Sequence, residues 1–300
     1  MFHKILYTIF GFGLAVLFFP HVARDVKQPQ PQVSGISITS SAAPSLSAPE
    51  VTTTLAAPIL TAKSALAIDL DSGSILYSKK LNERLPIASV TKLMTALVVL
   101  DQVDLKSILT VPENDQTVVG TSIGLIAGEQ ISVENLLKAM LIPSSNDAAL
   151  LLATFTAGSE ERFAQLMNNK ATQLGLTNTH FTNPVGWDID DNFSDALDLV
   201  KVSKEFLKHP ELAQIVSTKQ TTITSTDGKV IHTLTTTNKL LLDNPEVIGL
   251  KTGFTAKALG NLITLVNHDG HKILTIVLGS DNREDDSQKL LDWLFAVYKW

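Results

Sequence analysis

The spacing of hydrophobic positions changes period twice along the chain. Ala65-Leu-Ala-Ile-Asp69 and Ser74-Ile-Leu-Tyr77 read as strands joined by the turn signal Asp71-Ser72-Gly73. From Ser89 the period becomes helical, with Leu93, Ala96, Leu97 and Leu100 on one face, which predicts a helix opening at Ser89. Further helices are predicted over Val133–Leu141 behind an N-capping Ser132, and over Asp147–Phe155. Ser159 caps another, with Glu160 and Glu161 at its positive end and Gly175 past its close. One more opens at Ser194-Asp195 and ends near His209-Pro210. The period then shortens again. Thr221–Thr224 and Lys229–His232 flank the hairpin signal Asp227-Gly228, and Val247–Thr255, Asn261–Val266 and Lys272–Gly279 are strand candidates. Asp286–Tyr298 closes the chain as an amphipathic helix. Strands at both ends with helices between imply one sheet whose halves are separated by a helical insert, a mixed α/β (α+β) chain.

The N-terminal fifth has another character. Ile5–Phe19 is a mostly apolar run between Lys4 and Pro20, short for a bilayer span and of signal-peptide length. Residues 1–27 are expected to be a signal peptide or an uncleaved membrane anchor, and either exports the body. Residues 28–60, rich in Pro, Ser, Thr, Ala and Gln, are expected to form a disordered tether, with a catalytic domain over 61–300.

Composition narrows the chemistry. The chain has 300 residues, of which 44% are hydrophobic, and none is cysteine, so disulfides and thiolate metal sites are excluded. The net charge of -6 argues against a nucleic-acid partner. No His-Glu-x-x-His and no phosphate-binding Gly-rich loop is present, and no metal or other cofactor is expected.

What remains is a set of three short motifs in a fixed order. Ser89-Val90-Thr91-Lys92 offers a hydroxyl nucleophile with a lysine one turn on, within reach of it. That lysine can act as general base if burial, the helix dipole and a second cation, Lys251, depress its pKa. Ser144-Ser145-Asn146 follows Pro143 in a tight interhelical loop. Ser144 is a candidate proton relay and Asn146 a ligand for the substrate backbone, while Ser145 or Asn146 can also cap the next helix. Lys251-Thr252-Gly253 lies on a strand, where a lysine charge and a threonine hydroxyl suit a terminal carboxylate and a glycine admits a peptide. The backbone N–H groups of Ser89 and Phe254 would make an oxyanion hole. Ser280-Asp281-Asn282 resembles the middle motif but follows Lys251, and capping of the last helix accounts for it.

In these motifs and their order the chain resembles the low-molecular-weight penicillin-binding proteins of the D-alanyl-D-alanine carboxypeptidase family. The likeness runs from about Lys63 to Trp293 and is strongest over Arg84–Leu97. It extends through Asn146-Asp-Ala-Ala149, Leu174–Pro184 and Thr237-Asn-Lys-Leu-Leu241. The resemblance implies a β-lactamase/penicillin-binding transpeptidase-like fold, an antiparallel sheet flanked by helices with an all-helical subdomain. It implies an acyl-enzyme on Ser89 formed from peptidoglycan stem peptides, with Lys92 as base and Ser144 as relay. Asn146, Lys251, Thr252, Gly253, Phe254 and Thr255 would bind substrate, and β-lactams would inhibit by acylating Ser89. Well-known members carry a further β-rich domain and a C-terminal anchor, which the likeness does not reach, so anchoring is expected at the N-terminus. Ser145, Pro143 and Phe254 depart from the usual residues. The Lys-Thr-Gly-Phe-Thr spelling also resembles the related D,D-endopeptidases, which cut crosslinks. A β-lactamase would need a Glu-x-x-Leu-Asn loop between Ser144 and Lys251, and none is found. A non-enzymatic β-lactam sensor would keep the same motifs.

Overall fold

A computed structural model describes residues 47–113, 118–189 and 191–300. The expected signal or anchor at 1–27, and the tether up to residue 46, lie outside the described residues. After β1 (Glu50–Val51), strands β2 (Ser64–Asp69) and β3 (Ile75–Lys79) form a hairpin. A 3₁₀ turn over Ala88–Thr91 leads into α1 (Lys92–Gln102). Short strands β4 (Ile108–Thr110) and β5 (Gln130–Ser132) pair before α2 (Val133–Leu141), α3 (Asn146–Ala157), α4 (Glu160–Gln173), α5 (Ala196–Phe206) and α6 (Pro210–Val216). A second hairpin, β6 (Gln220–Thr224) with β7 (Ile231–Thr235), is followed by α7 (Lys239–Asp243). The chain ends with β8 (Val247–Thr255), β9 (Leu259–His268), β10 (His271–Ser280), α8 (Arg283–Val297) and β11 (Tyr298–Lys299).

The main sheet has the order β3-β2-β10-β9-β8, antiparallel throughout. Its N-terminal and C-terminal halves meet at β2 and β10, as the split pattern of strands implies. Alternation along the strands sorts side chains between two layers. Leu66, Ile68, Leu274 and Ile276 face the helical layer of α1 to α5, whereas Ala67, Leu262, Val266 and Ile273 face α8 through Leu290, Leu291 and Leu294. Each of these buried Leu, Ile and Val side chains contributes about 1.5–3 kcal/mol relative to exposure.

Local signals explain most boundaries. Ser132 Oγ accepts from Asn135 N at 3.2 Å, Ser159 Oγ from Arg162 N at 3.3 Å, and Asp195 Oδ1 from Asp198 N at 2.7 Å, so all three caps form. Three expectations need correction. The helix from Ser194-Asp195 ends at Phe206, and Pro210 opens α6 at its first position, where its missing N–H costs nothing. The last helix begins at Arg283 behind Asn282, whose side chain accepts from Asp285 N, while Ser280 Oγ donates to buried Asp286. The tether does not extend to residue 60. Glu50 and Val51 pair with Lys299 and Tyr298, Thr52 donates to Val297 O, and Leu60 is buried beside Ala62, Ala65 and Val277. Backbone pairing of this kind is open to any side chain, so composition misses it.

Candidate active site

Three segments converge at the start of α1: the 3₁₀ turn before it, the loop into α3 and the edge strand β8. Ser89 sits in the 3₁₀ turn rather than opening the α-helix, and Lys92 is the first residue of α1. In a 3₁₀ turn residues three apart eclipse, which suits the pair. Lys92 Nζ lies 2.9 Å from Ser89 Oγ. Ser89 is half-buried, whereas the Lys92 side chain is wholly enclosed. Ala88 holds φ 48°, a left-handed conformation that costs an alanine about 1–3 kcal/mol and turns Ser89 toward the site.

The second contributor is the loop into α3. Ser144 also has positive φ, 67°. Its Oγ accepts from Lys251 Nζ at 2.9 Å, and Asn146 Oδ1 accepts from Lys92 Nζ at 2.7 Å. Neither Ser145 nor Asn146 caps α3 with its side chain, contrary to expectation. Ser145 Oγ accepts from Ile123 N at 3.0 Å and donates to Asp147, and Asn146 turns inward.

Edge strand β8 is the third. Buried Lys251 also donates to Thr252 O at 3.0 Å, and Thr252 Oγ1 lies 2.6 Å from Thr237 Oγ1. A Cβ on Gly253 would stand 2.8 Å from Ile87 O and 3.0 Å from Ser89 N. The glycine is therefore required by the close approach of the 3₁₀ turn itself, a tighter constraint than room for a peptide. Phe254 is 67% exposed, a large apolar surface immediately after this contact. Thr255 is engaged elsewhere. Its hydroxyl donates to Asp188 and accepts from Ala258 N, fastening the β8–β9 turn.

Burial and charge set the lysines. Enclosure, then the Lys251 charge, push the Lys92 pKa well below its ordinary value, against an opposing pull from Asp147. Enclosure and the nearby Arg283 guanidinium bring Lys251 down to about 7.

Sequence reasoning missed several contributors. Val185 O accepts from Lys92 Nζ at 3.1 Å. The turn that aims this carbonyl is held by buried Asn183, whose Oδ1 accepts from the N–H groups of Val185, Gly186 and Trp187. A Cβ on Gly186 would stand 1.9 Å from Ala88 O. Arg283, whose Nη1 donates to Gly253 O at 2.8 Å, was also overlooked. A cation in the first turn of a helix opposes the helix dipole, and that anomaly was a readable signal.

A hydroxyl, a buried amine, a second hydroxyl–lysine pair and a glycine-edged strand thus meet on an antiparallel sheet flanked by helices, an arrangement able to activate a serine hydroxyl. Comparison with known proteins agrees. The D-alanyl-D-alanine carboxypeptidase (Peptidase_S11) profile matches residues 51–282, and the chain belongs to that family. It is 36% identical to the D-alanyl-D-alanine carboxypeptidase DacF of Bacillus subtilis over 79% of this chain and 63% of DacF. Against DacC of Escherichia coli the identity is 34% over 82% of this chain and 64% of DacC. The chain thus spans under two thirds of the length of these two relatives. The crystal structure of the Streptomyces K15 DD-transpeptidase superposes with a TM-score of 0.75 at 30% identity, covering 81% of this chain and 100% of that one.

Proposed function

We propose that the protein is a serine D,D-peptidase acting on the D-Ala-D-Ala end of peptidoglycan stem peptides, most simply as a carboxypeptidase that releases the terminal D-alanine. The observation that carries this reading is the set of partners around Lys92. Asn146 Oδ1 and Val185 O can only accept hydrogen bonds. A neutral amine has two N–H bonds to give them, and its lone pair is then left for the Ser89 hydroxyl. Enclosure and the Lys251 charge favour this neutral form.

The chemistry follows. Ser89 Oγ attacks the scissile carbonyl as its proton passes to Lys92, and the N–H groups of Ser89 and Phe254 receive the oxyanion. The tetrahedral intermediate collapses with cleavage of the C–N bond. The proton taken up by Lys92 passes by way of Ser144, with Lys251 beside it, to the leaving amine, so that D-alanine departs, the acyl group stays on Ser89 and Lys92 is neutral again. Lys92 then takes a proton from water as the water oxygen attacks the ester carbonyl, and returns that proton to Ser89 Oγ as the C–O bond breaks. Thr252, Lys251 and Arg283 supply a donor and positive charge for the substrate carboxylate. Asn146 and the edge of β8 at Gly253, Phe254 and Thr255 would line the peptide. A β-lactam would acylate the same serine. Such a substrate lies outside the cytoplasm, and residues 1–27 would deliver or anchor the protein there. Among the described residues no helix is long and apolar enough to cross a membrane.

The full chain is expected to release D-alanine from a D-Ala-D-Ala peptide, and Ser89→Ala to abolish release and penicillin labelling alike. Labelling of the wild type without any release would refute catalysis and favour a sensor. The transpeptidase name of the Streptomyces K15 relative, whose whole chain is covered here, supports a second reading. The same acyl-enzyme would pass to an amine acceptor. Adding a glycyl acceptor, and separately a crosslinked dimer, to the same assay separates hydrolysis, transfer and crosslink cutting.

A further inference from the structure

The side chain following the middle motif is absent from the chemistry above, yet it is among the most heavily bonded carboxylates described. Asp147 Oδ2 accepts from Ser122 Oγ at 2.6 Å, Gly124 N at 3.0 Å and Leu125 N at 3.1 Å. Its Oδ1 accepts from Ala148 N at 2.9 Å, Ile123 N at 3.4 Å and Ser145 Oγ. Four of these donors belong to one stretch, residues 122–125, in the long connection between β4 and β5.

The other end of that stretch grips Asn146. Val119 O accepts from Asn146 Nδ2 at 2.7 Å, and Thr121 O accepts from Asn146 N at 2.7 Å. A carbonyl at Nδ2 dictates which way the amide faces, because the reversed amide would set two oxygens against each other. Oδ1 is thereby held on Lys92. Gly120, with φ 93°, fits only because it lacks a Cβ, which would stand 2.7 Å from Asn146 Nδ2. Packing secures the loop weakly. Ile123 and Leu125 are only partly buried, and Ser122, Gly124 and Leu125 line an open groove of about 540 Å³ beside Leu150, Leu151 and Phe155.

We propose that Asp147 is a positioning residue: its carboxylate ties residues 122–125 to the start of α3, so that Val119 and Thr121 lock the Asn146 amide with its oxygen on Lys92. The inference rests on the reading of Lys92 as the base of an acyl-transfer site. Asparagine at 147 would offer one acceptor atom where the loop needs two, and would set an NH₂ group against N–H donors. The loop should then loosen and the Asn146 amide sample both orientations.

The test compares the full-length wild type with Asp147→Asn and Gly120→Ala. The second displaces the same loop from Asn146 while leaving the carboxylate in place, so the inference stays testable if the first variant folds poorly. Active sites are titrated with a fluorescent penicillin, so that every rate refers to folded, competent protein. In both variants the acylation rate per titrated site should fall about 10–100-fold, the loss expected for a misplacement on the order of 1 Å. The KM for a D-Ala-D-Ala peptide should change less than about threefold, because an orienting loss falls on kcat. Amide hydrogen exchange over residues 119–125 should accelerate in Asp147→Asn. Faster exchange with an unchanged rate per site would overturn the proposal, as would unchanged exchange. A wild type that neither labels nor turns over would sink the functional reading itself, and is told apart by the wild-type control alone.

Discussion

Asn146 Oδ1 stands 2.7 Å from Lys92 Nζ, and the two side chains come from the first residues of α3 and α1. The contact fixes one N–H of the lysine and so takes part in deciding where its lone pair points. It also makes the charge state of Lys92 sensitive to whatever occupies position 146.

Asn146→Asp should therefore act through Lys92. A carboxylate at hydrogen-bond distance favours the protonated amine, so a higher pH is needed to free the lone pair. The acid limb of the kcat/KM profile should move toward higher pH, and activity at neutral pH should drop at least about tenfold, the factor per pH step of a single titration. Measuring acylation by a chromogenic cephalosporin across pH gives the answer. A profile that moves the other way would remove Lys92 from the role of base.

Lys92→Met separates function from stability. Methionine fills the same enclosed volume without an amine to desolvate. The melting temperature should equal or exceed that of the wild type, while kcat falls about 10²–10⁴-fold, the usual worth of a positioned proton acceptor. Circular dichroism melts and D-alanine release together check it.

Gly186→Ala should be among the most damaging small substitutions. The added methyl would stand 1.9 Å from Ala88 O, a backbone atom, at φ 89°. Strain and displacement should cost about 2–5 kcal/mol by urea unfolding. The refolded protein should also label slowly, because the 3₁₀ turn carrying Ser89 is what must move.

Lys251 makes a statement about pH and stability. Its folded pKa, about 7, lies below the ordinary lysine value of 10.5. Between those values the unfolded chain binds the proton and the folded protein does not. Raising pH through this window therefore favours the folded state, and below it the contribution is flat. The wild type should gain thermal stability relative to Lys251→Met from neutral to alkaline pH. Equal slopes in differential scanning calorimetry would show that Lys251 remains charged when buried.

How much of this was legible beforehand depends on where the information sits. α2 was readable to the residue because Ser132 caps it and Pro143 follows it, and β8 because its strand pattern is long. Ser89, Lys92, Ser144, Asn146 and Lys251 were readable as side-chain chemistry, and the fold brings their polar ends together. What stayed hidden acts through the backbone. Val185 contributes a carbonyl, Gly186 and Gly253 contribute the absence of a Cβ, and exposed β1 contributes its backbone pairing with β11. The strands β4 and β5 and the helix α7 are too short for periodicity to register. The 3₁₀ geometry at Ser89 was equally silent, since it preserves the spacing that an α-helix would give.

The meeting of β2 with β10 has a kinetic side. Asp69 and His271, joined across that seam, are 202 positions apart. During synthesis the first hairpin of the sheet must wait for nearly the whole chain before its inner edge is covered. Helices α1 to α5 can condense from neighbouring segments long before then. Closure of the seam, with its large loop entropy, should thus be the slow event of folding, and the waiting hairpin the segment most exposed to misassociation.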